Sequence, residues 1–492
     1  MNLAKKFYQA AAQRPNDVAI YYGDDCVTYS LLAEQSLQIA KALIERYQVK
    51  KGDRIGLLMR NRPEFIPSLF GILSADAVVV PINVFLKPYE VSYIVNDAGI
   101  KVLITEDSLK ETARKVCAEC EGLKVLTIDG SLNATGELKS VLETTAAEQD
   151  LAIIIYTSGT TGHPKGAMLS HNNLLENVQS CYEALDLTVE ERIAVILPMF
   201  HSFMMTVGIL LPLFSGASIA LIKSVHPIKN MLEELIARRA TLLPAMPQVF
   251  RAFIHPSVPQ QLPLRLCVSG SAPLPFDTLE QFNKKFQFPL IEGYGLSEAS
   301  PVCSVNPIKG PWKAGSIGVP IPRVEMSIQD ENGNHLPPGV VGEVCVKGGN
   351  VMLGYWNKPE ETAKAFRNGW LLTGDVGYRD HQGYFYITDR KKDMLLVNGN
   401  NVYPREIEEV ILTFPGIKEA AVIGRPDPRR GEQPVAYISP VEGQQINHDE
   451  LIKFLRHRLA DYKVPKRIIT LAELPHNATG KILKTELRTR ND

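Results

Sequence analysis

Short apolar runs rich in β-branched residues alternate with segments of helical periodicity along most of this chain. The clearest runs, which predict strands, lie at 54–59, 102–105, 151–156 and 264–269. Helical spacing of apolar residues is clearest at 30–47 and 228–239. Such alternation is typical of parallel sheets whose faces are covered by helices. We therefore predict an α/β fold over about the first three quarters of the chain, in one large domain with several sheets.

The pattern changes after about Arg390. A charged run at 389–393 precedes a compact series of predicted helices and strands. The helices are predicted at 406–414 and 449–462, and the strands at 420–423 and 435–439. A small α+β domain of about a hundred residues fits this series. The predicted organisation is an N-terminal domain (1–388), a charged segment (389–393) that a plain solvated linker would explain, and a small C-terminal domain (394–492).

One apolar stretch approaches the length of a membrane span. Residues 193–222 contain no Asp, Glu, Lys or Arg. Pro198, Pro212 and the small residues Ser215 and Gly216 divide the stretch, so a buried helix followed by a buried strand at 217–222 explains it better. The chain also starts without the apolar core of a secretory signal. We expect no transmembrane segment and a cytoplasmic location, and leave peripheral membrane contact open.

Composition narrows the class of protein. A chain of 492 residues with 45% hydrophobic residues is long enough for two or more cores. Its 53 basic and 54 acidic side chains give a net charge of -1, so no overall field attracts nucleic acid. Of seven cysteines only Cys117 and Cys120 form a CxxC pair, which indicates reduced, structural thiols and no zinc site. A homodimer stays open.

The most informative segment is a glycine- and hydroxyl-rich loop at 156–166, directly after an apolar strand. Its candidate phosphate-binding residues are Thr157, Ser158, Gly159, Thr160, Thr161, Gly162 and Lys165. Glycines let backbone N–H groups converge on an anion, and Lys165 adds positive charge. The loop is not a Walker A motif, because Lys165 is followed by Gly166 instead of Ser or Thr. A flexible linker would seldom follow a buried strand.

This loop resembles the signature loop of the adenylate-forming superfamily, which includes acyl-CoA synthetases and peptide-synthetase adenylation domains. The resemblance implies that the loop holds the phosphates of ATP and that Thr157 helps to bind Mg²⁺. A second segment, 293–298, is similar to the adenine motif of the family. It implies that Tyr294, between Gly293 and Gly295, stacks on the base, that Ser297 meets the α-phosphate and that Glu298 binds Mg²⁺.

Alternative interpretations of 293–298 are a hydrolase nucleophile elbow and a dinucleotide fingerprint, but Ala299 breaks the first and Glu298 the second. Upstream, Gly270, Ser271 and Ala272 follow a predicted strand and resemble the loop beside the adenine. Alone they would be an ordinary turn.

Five further residues match motifs of the same family, in which residues 389–393 fall at a hinge about which the small C-terminal domain moves. Asp375 and Arg390 resemble the ribose-binding pair, a carboxylate with a supporting arginine. Lys392 falls at the position of the domain hinge, and Gly399 at the loop that lines the pantetheine tunnel for coenzyme A. Lys481, in Asn477-Ala478-Thr479-Gly480-Lys481, resembles the catalytic lysine. The motifs run in the family's order over essentially the whole chain.

The resemblance implies an ATP-dependent ligase. A carboxylic acid attacks the α-phosphate of ATP, and the acyl group then passes to coenzyme A. The candidate catalytic residues are Lys481, Lys165, Ser297 and His201. An Asp near 201 binds the amino group in amino-acid-activating relatives, so His201 indicates another kind of acid.

Met and Phe residues at 199–205 would suit the binding of an alkyl tail, and they would equally suit an ordinary hydrophobic core. The amino-acid sequences of the motifs are most similar to those of bacterial long-chain fatty acid–CoA ligases. Three alternatives stay open. They are an aryl-CoA ligase for benzoate- or cinnamate-type acids, a ligase that loads a carrier protein, and a regulatory protein that binds nucleotide without catalysis.

Overall fold

The computed structural model describes residues 1–128, 143–157, 164–391, 393–397, 400–427, 431–477 and 480–490, with only the backbone of Asn401. The helices are α1 (Leu3–Gln13), α2 (Tyr29–Lys41), α3 (Phe65–Ser74), α4 (Pro88–Ala98), α5 (Lys110–Glu119), α6 (His171–Ala184), α7 (Leu211–Ser215), α8 (Ile228–Ala237), α9 (Pro247–Phe253), α10 (Phe276–Lys285), α11 (Pro359–Ala365), α12 (Pro404–Leu412), α13 (His448–Arg456) and α14 (Lys484–Thr489). The strands are β1 (Val18–Tyr22), β2 (Asp25–Thr28), β3 (Arg54–Leu58), β4 (Val78–Pro81), β5 (Ile100–Glu106), β6 (Lys124–Ile128), β7 (Leu151–Thr157), β8 (Lys165–Ser170), β9 (Arg192–Val195), β10 (Ser218–Leu221), β11 (Leu242–Ala245), β12 (Leu266–Ser269), β13 (Leu290–Gly295), β14 (Val302–Val305), β15 (Val319–Pro320), β16 (Val324–Gln329), β17 (Gly342–Gly348), β18 (Gly354–Tyr355), β19 (Phe366–Arg367), β20 (Trp370–Arg379), β21 (Phe385–Arg390), β22 (Leu395–Val397), β23 (Asn400–Val402), β24 (Ile417–Asp427), β25 (Gly431–Pro440) and β26 (Arg467–Thr470).

A seven-stranded sheet carries the phosphate-loop side of the candidate site. Its strand order is β18-β8-β7-β4-β3-β5-β6. The strands from β7 to β6 run parallel, while β8 and β18 add an antiparallel edge. Its inner strands are buried on both faces, which explains the continuous apolar runs in their sequences. The predicted strands at 54–59, 102–105 and 151–156 are therefore confirmed.

A nine-stranded sheet carries the adenine side. Its order is β15-β14-β13-β12-β11-β9-β10-β1-β2, and its central strands are parallel. The segment at 270–273 follows the carboxyl end of β12, and the segment at 293–298 consists of the last residues of the neighbouring strand β13 and the loop after it. Loops at this edge of a parallel sheet are the usual place for a ligand site.

Residues 324–390 form a five-stranded sheet that the sequence pattern did not reveal. Every ladder in it is antiparallel: β16-β17-β20-β19, with β21 paired to β20. Antiparallel neighbours need only a short turn, such as the one between β20 and β21, where Asp380 accepts hydrogen bonds from the backbone of Gln382 and Tyr384. The α/β fold class is confirmed, with this sheet as an addition.

The C-terminal domain is α+β, as predicted. Its sheet has the order β23-β22-β25-β24, with β26 parallel to β25, and α12, α13 and α14 pack beside it. The helix predicted at 449–462 is shorter, His448–Arg456. Arg458 and the residues after it leave the helix to reach β26.

The apolar stretch at 193–222 lies in the core of the large domain. It contains β9, a π-helical segment Met204–Leu210, α7 and β10, and all seven residues of the π-helical segment are buried. In the part of the chain that the structure describes, no helix has the length and apolarity needed to cross a membrane.

Candidate active site

The two ends of the phosphate loop are adjacent in the seven-stranded sheet. Thr157 ends β7 and pairs in register with Lys165, the first residue of β8, and the Thr157 hydroxyl donates to the Lys165 carbonyl at 3.4 Å. The Lys165 ammonium forms an ion pair with the carboxylate of Glu361 on α11. Its side chain is only 13% exposed. Ser158, Gly159, Thr160, Thr161 and Gly162 lie outside the described residues.

The loop after β13 brings a hydroxyl and a carboxylate close to Lys165. Ser297 Oγ shares a hydrogen bond of 3.0 Å with Ser202 Oγ. Glu298 Oε1 accepts a hydrogen bond of 2.9 Å from the hydroxyl of Tyr355. At Gly295 a β-carbon would lie 2.2 Å from the Pro301 carbonyl oxygen, so only glycine permits this close return of the chain.

The candidate ribose residues form one hydrogen-bonded group. Asp375 lies on β20 opposite Arg390 on β21, and its Oδ1 lies 3.1 Å from Arg390 Nε. Its other oxygen, Oδ2, accepts a 2.5 Å hydrogen bond from the Tyr294 hydroxyl. Burial and the neighbouring Asp375 raise the pKa of Tyr294 well above its usual value, so the hydroxyl stays protonated and donates. The adenine and ribose motifs therefore meet at Asp375.

A cleft of about 3040 Å³ lies between the large domain and the C-terminal domain. The predicted site residues that line it are Ser271, Ala272, Gly293, Tyr294, Gly295, Asp375, Arg390 and Lys481. Gly270 adjoins it, where a β-carbon would lie 3.3 Å from the ring of Phe203. The structure thus brings together residues that are more than two hundred positions apart in the sequence.

Lys481 is presented to this cleft by a tight turn. The Asn477 backbone N–H donates to the Lys481 carbonyl, and the Lys481 N–H donates to Asn477 Oδ1, both at 2.9 Å. Gly480 has φ +72° and lies 3.0 Å, measured from a built β-carbon, from the sulfur of Met246. Gln248 Nε2 donates to the Gly480 carbonyl at 3.1 Å. Contacts with α9 and the residue before it therefore hold the turn against the large domain.

The predicted hinge, residues 389–393, begins at the end of β21, where the C-terminal domain contacts the large domain. Asp389 is 5% exposed, and its Oδ2 accepts from the backbone N–H of Arg405 on α12 at 2.8 Å. The Arg405 guanidinium donates to the Ile387 carbonyl, also at 2.8 Å. Beyond the hinge, Arg488 on α14 pairs with Asp393 at 2.5 Å. Lys392 and Gly399 lie outside the described residues.

His201 stands apart from the cleft, although its neighbour Ser202 contacts Ser297. Its Nδ1 accepts from the Phe203 backbone N–H at 3.3 Å, and burial lowers its pKa to about 4, so the ring is neutral at pH 7. Met204 and Met205 are fully buried core residues. Phe200 and Phe203 each keep 8% exposure, and His201 between them is partly exposed, so these three side chains offer surface to a ligand on this side.

Three residues of the site, one tyrosine and two glutamates, were not predicted from the sequence. Tyr355 and Glu361 reach Lys165 and Glu298 from a two-residue strand and a short helix, where no sequence motif marks them. Glu292, directly before Gly293, is 5% exposed and accepts from the Leu274 N–H at 3.0 Å. Burial raises its pKa to about 7. Its place beside the adenine motif was the one available signal.

The donor set suits a magnesium ion that arrives with ATP. The described residues include no group of three or more His, Cys, Asp or Glu that could hold a metal ion. Mg²⁺ usually takes one or two protein oxygens and fills its other positions with phosphate and water. The Glu298 carboxylate and the Thr157 hydroxyl fit this pattern.

Comparisons with known proteins agree over the whole length. The family model for AMP-binding enzymes matches residues 7–356, and the model for the C-terminal domain of these enzymes matches 406–481. A long-chain-fatty-acid–CoA ligase of Bacillus subtilis (strain 168) is 36% identical over 520 residues, 97% of this chain and 92% of that protein. A feruloyl-CoA synthase of an Amycolatopsis species is 36% identical over 484 residues, 98% of this chain and 97% of that protein.

Among solved structures, ATP-bound MatB from Rhodopseudomonas palustris superposes with a TM-score of 0.92 at 32% identity, and the match covers 99% of this chain and 98% of that one. The predicted fold and the resemblance to the adenylate-forming superfamily are both confirmed. The chain belongs to the AMP-binding enzyme family and is an acyl-CoA ligase of that family.

Proposed function

We propose that this enzyme activates a medium- or long-chain fatty acid as an acyl-adenylate and transfers the acyl group to coenzyme A, with release of AMP and pyrophosphate. The observation that most supports the first step is that Lys481 lines the same cleft as Tyr294, Asp375 and Arg390. A cation in that position can meet the charge that develops at the phosphate of a bound nucleotide. Since ATP and coenzyme A are intracellular and the seven cysteines are free, we place the enzyme in the cytoplasm.

In the first step a carboxylate oxygen bonds to the α-phosphorus of ATP, and the bond from that phosphorus to the bridging oxygen breaks, so pyrophosphate leaves. Negative charge gathers on the phosphate oxygens. Donors from Lys481, Lys165 and the Ser297 hydroxyl would stabilise this charge. When bound, Mg²⁺ held by Glu298 and Thr157 would supply further neutralisation of the phosphates.

In the second step the thiol of coenzyme A attacks the acyl carbon, its proton passes to solvent and AMP leaves. We infer that the C-terminal domain turns about Lys392, so that Lys481 withdraws and the loop at Gly399 approaches the adenylate. Among the described residues, the hydrogen bonds that such a turn must break include Gln248 to Gly480, Arg251 to Lys418, and Arg405 to the strand end at Ile387 and Asp389. Such a bond contributes about 1 kcal/mol net when both groups are neutral and about 1.5–3 kcal/mol when one of them is charged.

The choice of a fatty acid rests on chemistry near His201. A neutral ring, with the pKa held to about 4 by burial, does not attract a second carboxylate. Phe200 and Phe203 offer apolar surface, and Phe200 packs edge-on against the exposed Phe85 at 6.4 Å between ring centres. An aryl acid such as ferulate would find the same surface. The equal identity to a feruloyl-CoA synthase makes this the second candidate substrate class.

A panel of acids tests the proposal. Pyrophosphate release is measured with saturated acids of increasing length and with ferulate and benzoate, each with coenzyme A or with acyl carrier protein, and the nucleotide product is identified. We expect AMP, a preference for the longer alkyl acids, and turnover with coenzyme A. Turnover with the aromatic acids alone would replace the fatty-acid proposal by the aryl one, and transfer to carrier protein alone would remove coenzyme A.

A pair of variants tests the binding surface. Phe203→Leu should raise the KM for a long acid several-fold, because a planar apolar contact is lost. Phe214→Leu is the matched control, since Phe214 has the same 8% exposure but packs against Phe70 in the core. Equal effects of the two variants on KM would exclude Phe203 from the acid site.

A further inference from the structure

The edge strand β18 lies next to the start of β8. Tyr355 pairs in register with Ala167, and the backbone N–H groups of Leu353 and Trp356 donate to the carbonyls of Met168 and Gly166 at 2.9 and 2.8 Å. These hydrogen bonds between the strands fix the backbone of Tyr355 beside the first residues of β8. The side chain of Tyr355 is therefore held close to Lys165.

Tyr355 contacts both charged residues that the proposed function places at the phosphates. Its hydroxyl donates to Glu298 Oε1 at 2.9 Å, and the Lys165 ammonium lies 5.3 Å from the centre of its ring. The backbone N–H of Met352, three residues earlier, donates to the Glu298 carbonyl at 2.8 Å. One segment thus fixes both the backbone and the carboxylate of Glu298.

The short helix α11 supports the same tyrosine from the other side. The Thr362 hydroxyl accepts from the Tyr355 N–H at 2.8 Å and donates to the Lys358 carbonyl at 2.9 Å. Glu361, the residue before Thr362, forms the ion pair with the Lys165 ammonium. A β-carbon at Gly354 would lie 2.7 Å from the Thr362 methyl, so strand and helix are in close contact. The support is a rigid one, as a positioning group requires.

We propose that Tyr355 is a positioning residue that sets Glu298 for a magnesium–nucleotide complex and at the same time supports Lys165 at the phosphate loop. This proposal rests on the roles given to Glu298 and Lys165 in the proposed function. A carboxylate held in one rotamer by a charge-assisted hydrogen bond loses less freedom when a cation binds. The ring face offers Lys165 a cation–π contact that does not neutralise its charge.

The test is Tyr355→Phe, which removes the hydroxyl and keeps the ring. ATP binding is measured by calorimetry over a range of magnesium concentrations, without any acid substrate. We expect the magnesium concentration for half-maximal ATP binding to rise about tenfold, as for loss of one hydrogen bond to a charged group. At saturating magnesium the kcat should fall while the KM for the acid stays unchanged.

The matched control is Tyr47→Phe. Tyr47 is buried, whereas Tyr355 is partly buried, and the Tyr47 hydroxyl donates to the Val125 carbonyl at 3.0 Å, in β6 at the opposite edge of the same seven-stranded sheet. We expect Tyr47→Phe to bind ATP as the wild type does over the whole magnesium range. Melting temperatures of the two variants separate a general loss of stability from the specific effect.

Glu298→Gln separates this inference from the one it rests on. If Glu298→Gln leaves the magnesium dependence unchanged, the role of Glu298 in the proposed function is wrong. If Glu298→Gln shifts the dependence but Tyr355→Phe does not, only the role of Tyr355 is overturned. Support requires that both single variants shift it and that Tyr355→Phe adds no further shift in the Glu298→Gln background.

Discussion

Asp375 offers the most direct test of the nucleotide site. A carboxylate has two oxygens and about four lone-pair positions. In the structure one position on Oδ2 accepts from Tyr294 and one on Oδ1 faces Arg390 at 3.1 Å, so about two positions remain for the two ribose hydroxyls. Asp375→Asn replaces one carboxylate oxygen by an NH₂ group, which donates instead of accepting. The hydrogen bonds to the remaining oxygen become weaker, because that oxygen no longer carries a negative charge.

The expected loss follows from these bonds. A hydrogen bond to a charged group contributes about 1.5–3 kcal/mol and a neutral one about 0.5–1.5 kcal/mol, so each of two ribose bonds should weaken by about 1–1.5 kcal/mol. The sum, about 2–3 kcal/mol, corresponds to a Kd for ATP that is roughly 30- to 150-fold higher. The Arg390 side chain is 43% exposed to solvent, so in Asp375→Asn we expect no additional cost from leaving its charge unpaired.

Calorimetric titration with ATP measures the change. The control is Asp380→Asn, the same substitution at the far end of the same β20–β21 hairpin, where Asp380 pairs with Lys313 and accepts from the Gln382 and Tyr384 backbones. We expect Asp380→Asn to keep the wild-type Kd. If Asp375→Asn binds ATP within about threefold of the wild type, the ribose role of Asp375 is refuted, since that change is below 1 kcal/mol.

Three more expectations concern chemistry, pH and packing. Lys481→Ala should slow adenylate formation by about a hundredfold or more, yet convert preformed acyl-adenylate and coenzyme A at a near-normal rate, and an equal fall in both half-reactions would contradict the division of labour. In the folded protein the pKa of His201 is lowered to about 4, so between pH 6.5 and pH 4 the imidazole takes up a proton only on unfolding, and the free energy of unfolding falls as the pH falls. Between pH 7 and pH 5 the free energy of unfolding should fall by about 2 kcal/mol less in His201→Gln than in the wild type. An equal fall in both proteins would exclude this contribution of His201. Gly295→Ala would bring a methyl group to 2.2 Å from the Pro301 carbonyl oxygen, so we expect weaker ATP binding and a lower melting temperature. The control is Gly443→Ala, where φ is +79° but a β-carbon would meet nothing within 4 Å, and we expect it to lower the melting temperature without changing ATP binding.

Local pattern predicted much of the fold. The buried parallel strands have continuous β-branched runs, and the segments at 270–273 and 293–298 lie at the carboxyl ends of two strands that share one edge of a sheet. The sequence therefore indicated both the elements and the place of the nucleotide residues. The antiparallel sheet formed by strands between 324 and 390 was not predicted, because the mixed burial of its strands leaves no regular alternation.

Side-chain contacts between distant segments could not be predicted in the same way. Tyr355 meets Glu298 and Lys165 only because β18 adds to the edge of β8, and such a register depends on tertiary packing. The hydrogen bond between Ser202 and Ser297 likewise joins two elements 95 positions apart. The motif resemblance supplied the residues proposed to act on the substrate, and the structure added residues that contact them.

The contacts at the end of β21 limit where this protein can be cut and joined to a relative. The C-terminal domain reaches back across the proposed hinge through Arg405, whose two donors end on Asp389 and on the carbonyl of Ile387. A chimaera with its junction at 389–393 would therefore give a foreign domain half of this contact. Grafts that begin before Ile387, or that keep an arginine at 405, would preserve it and should express as folded protein more often than grafts joined at the linker itself.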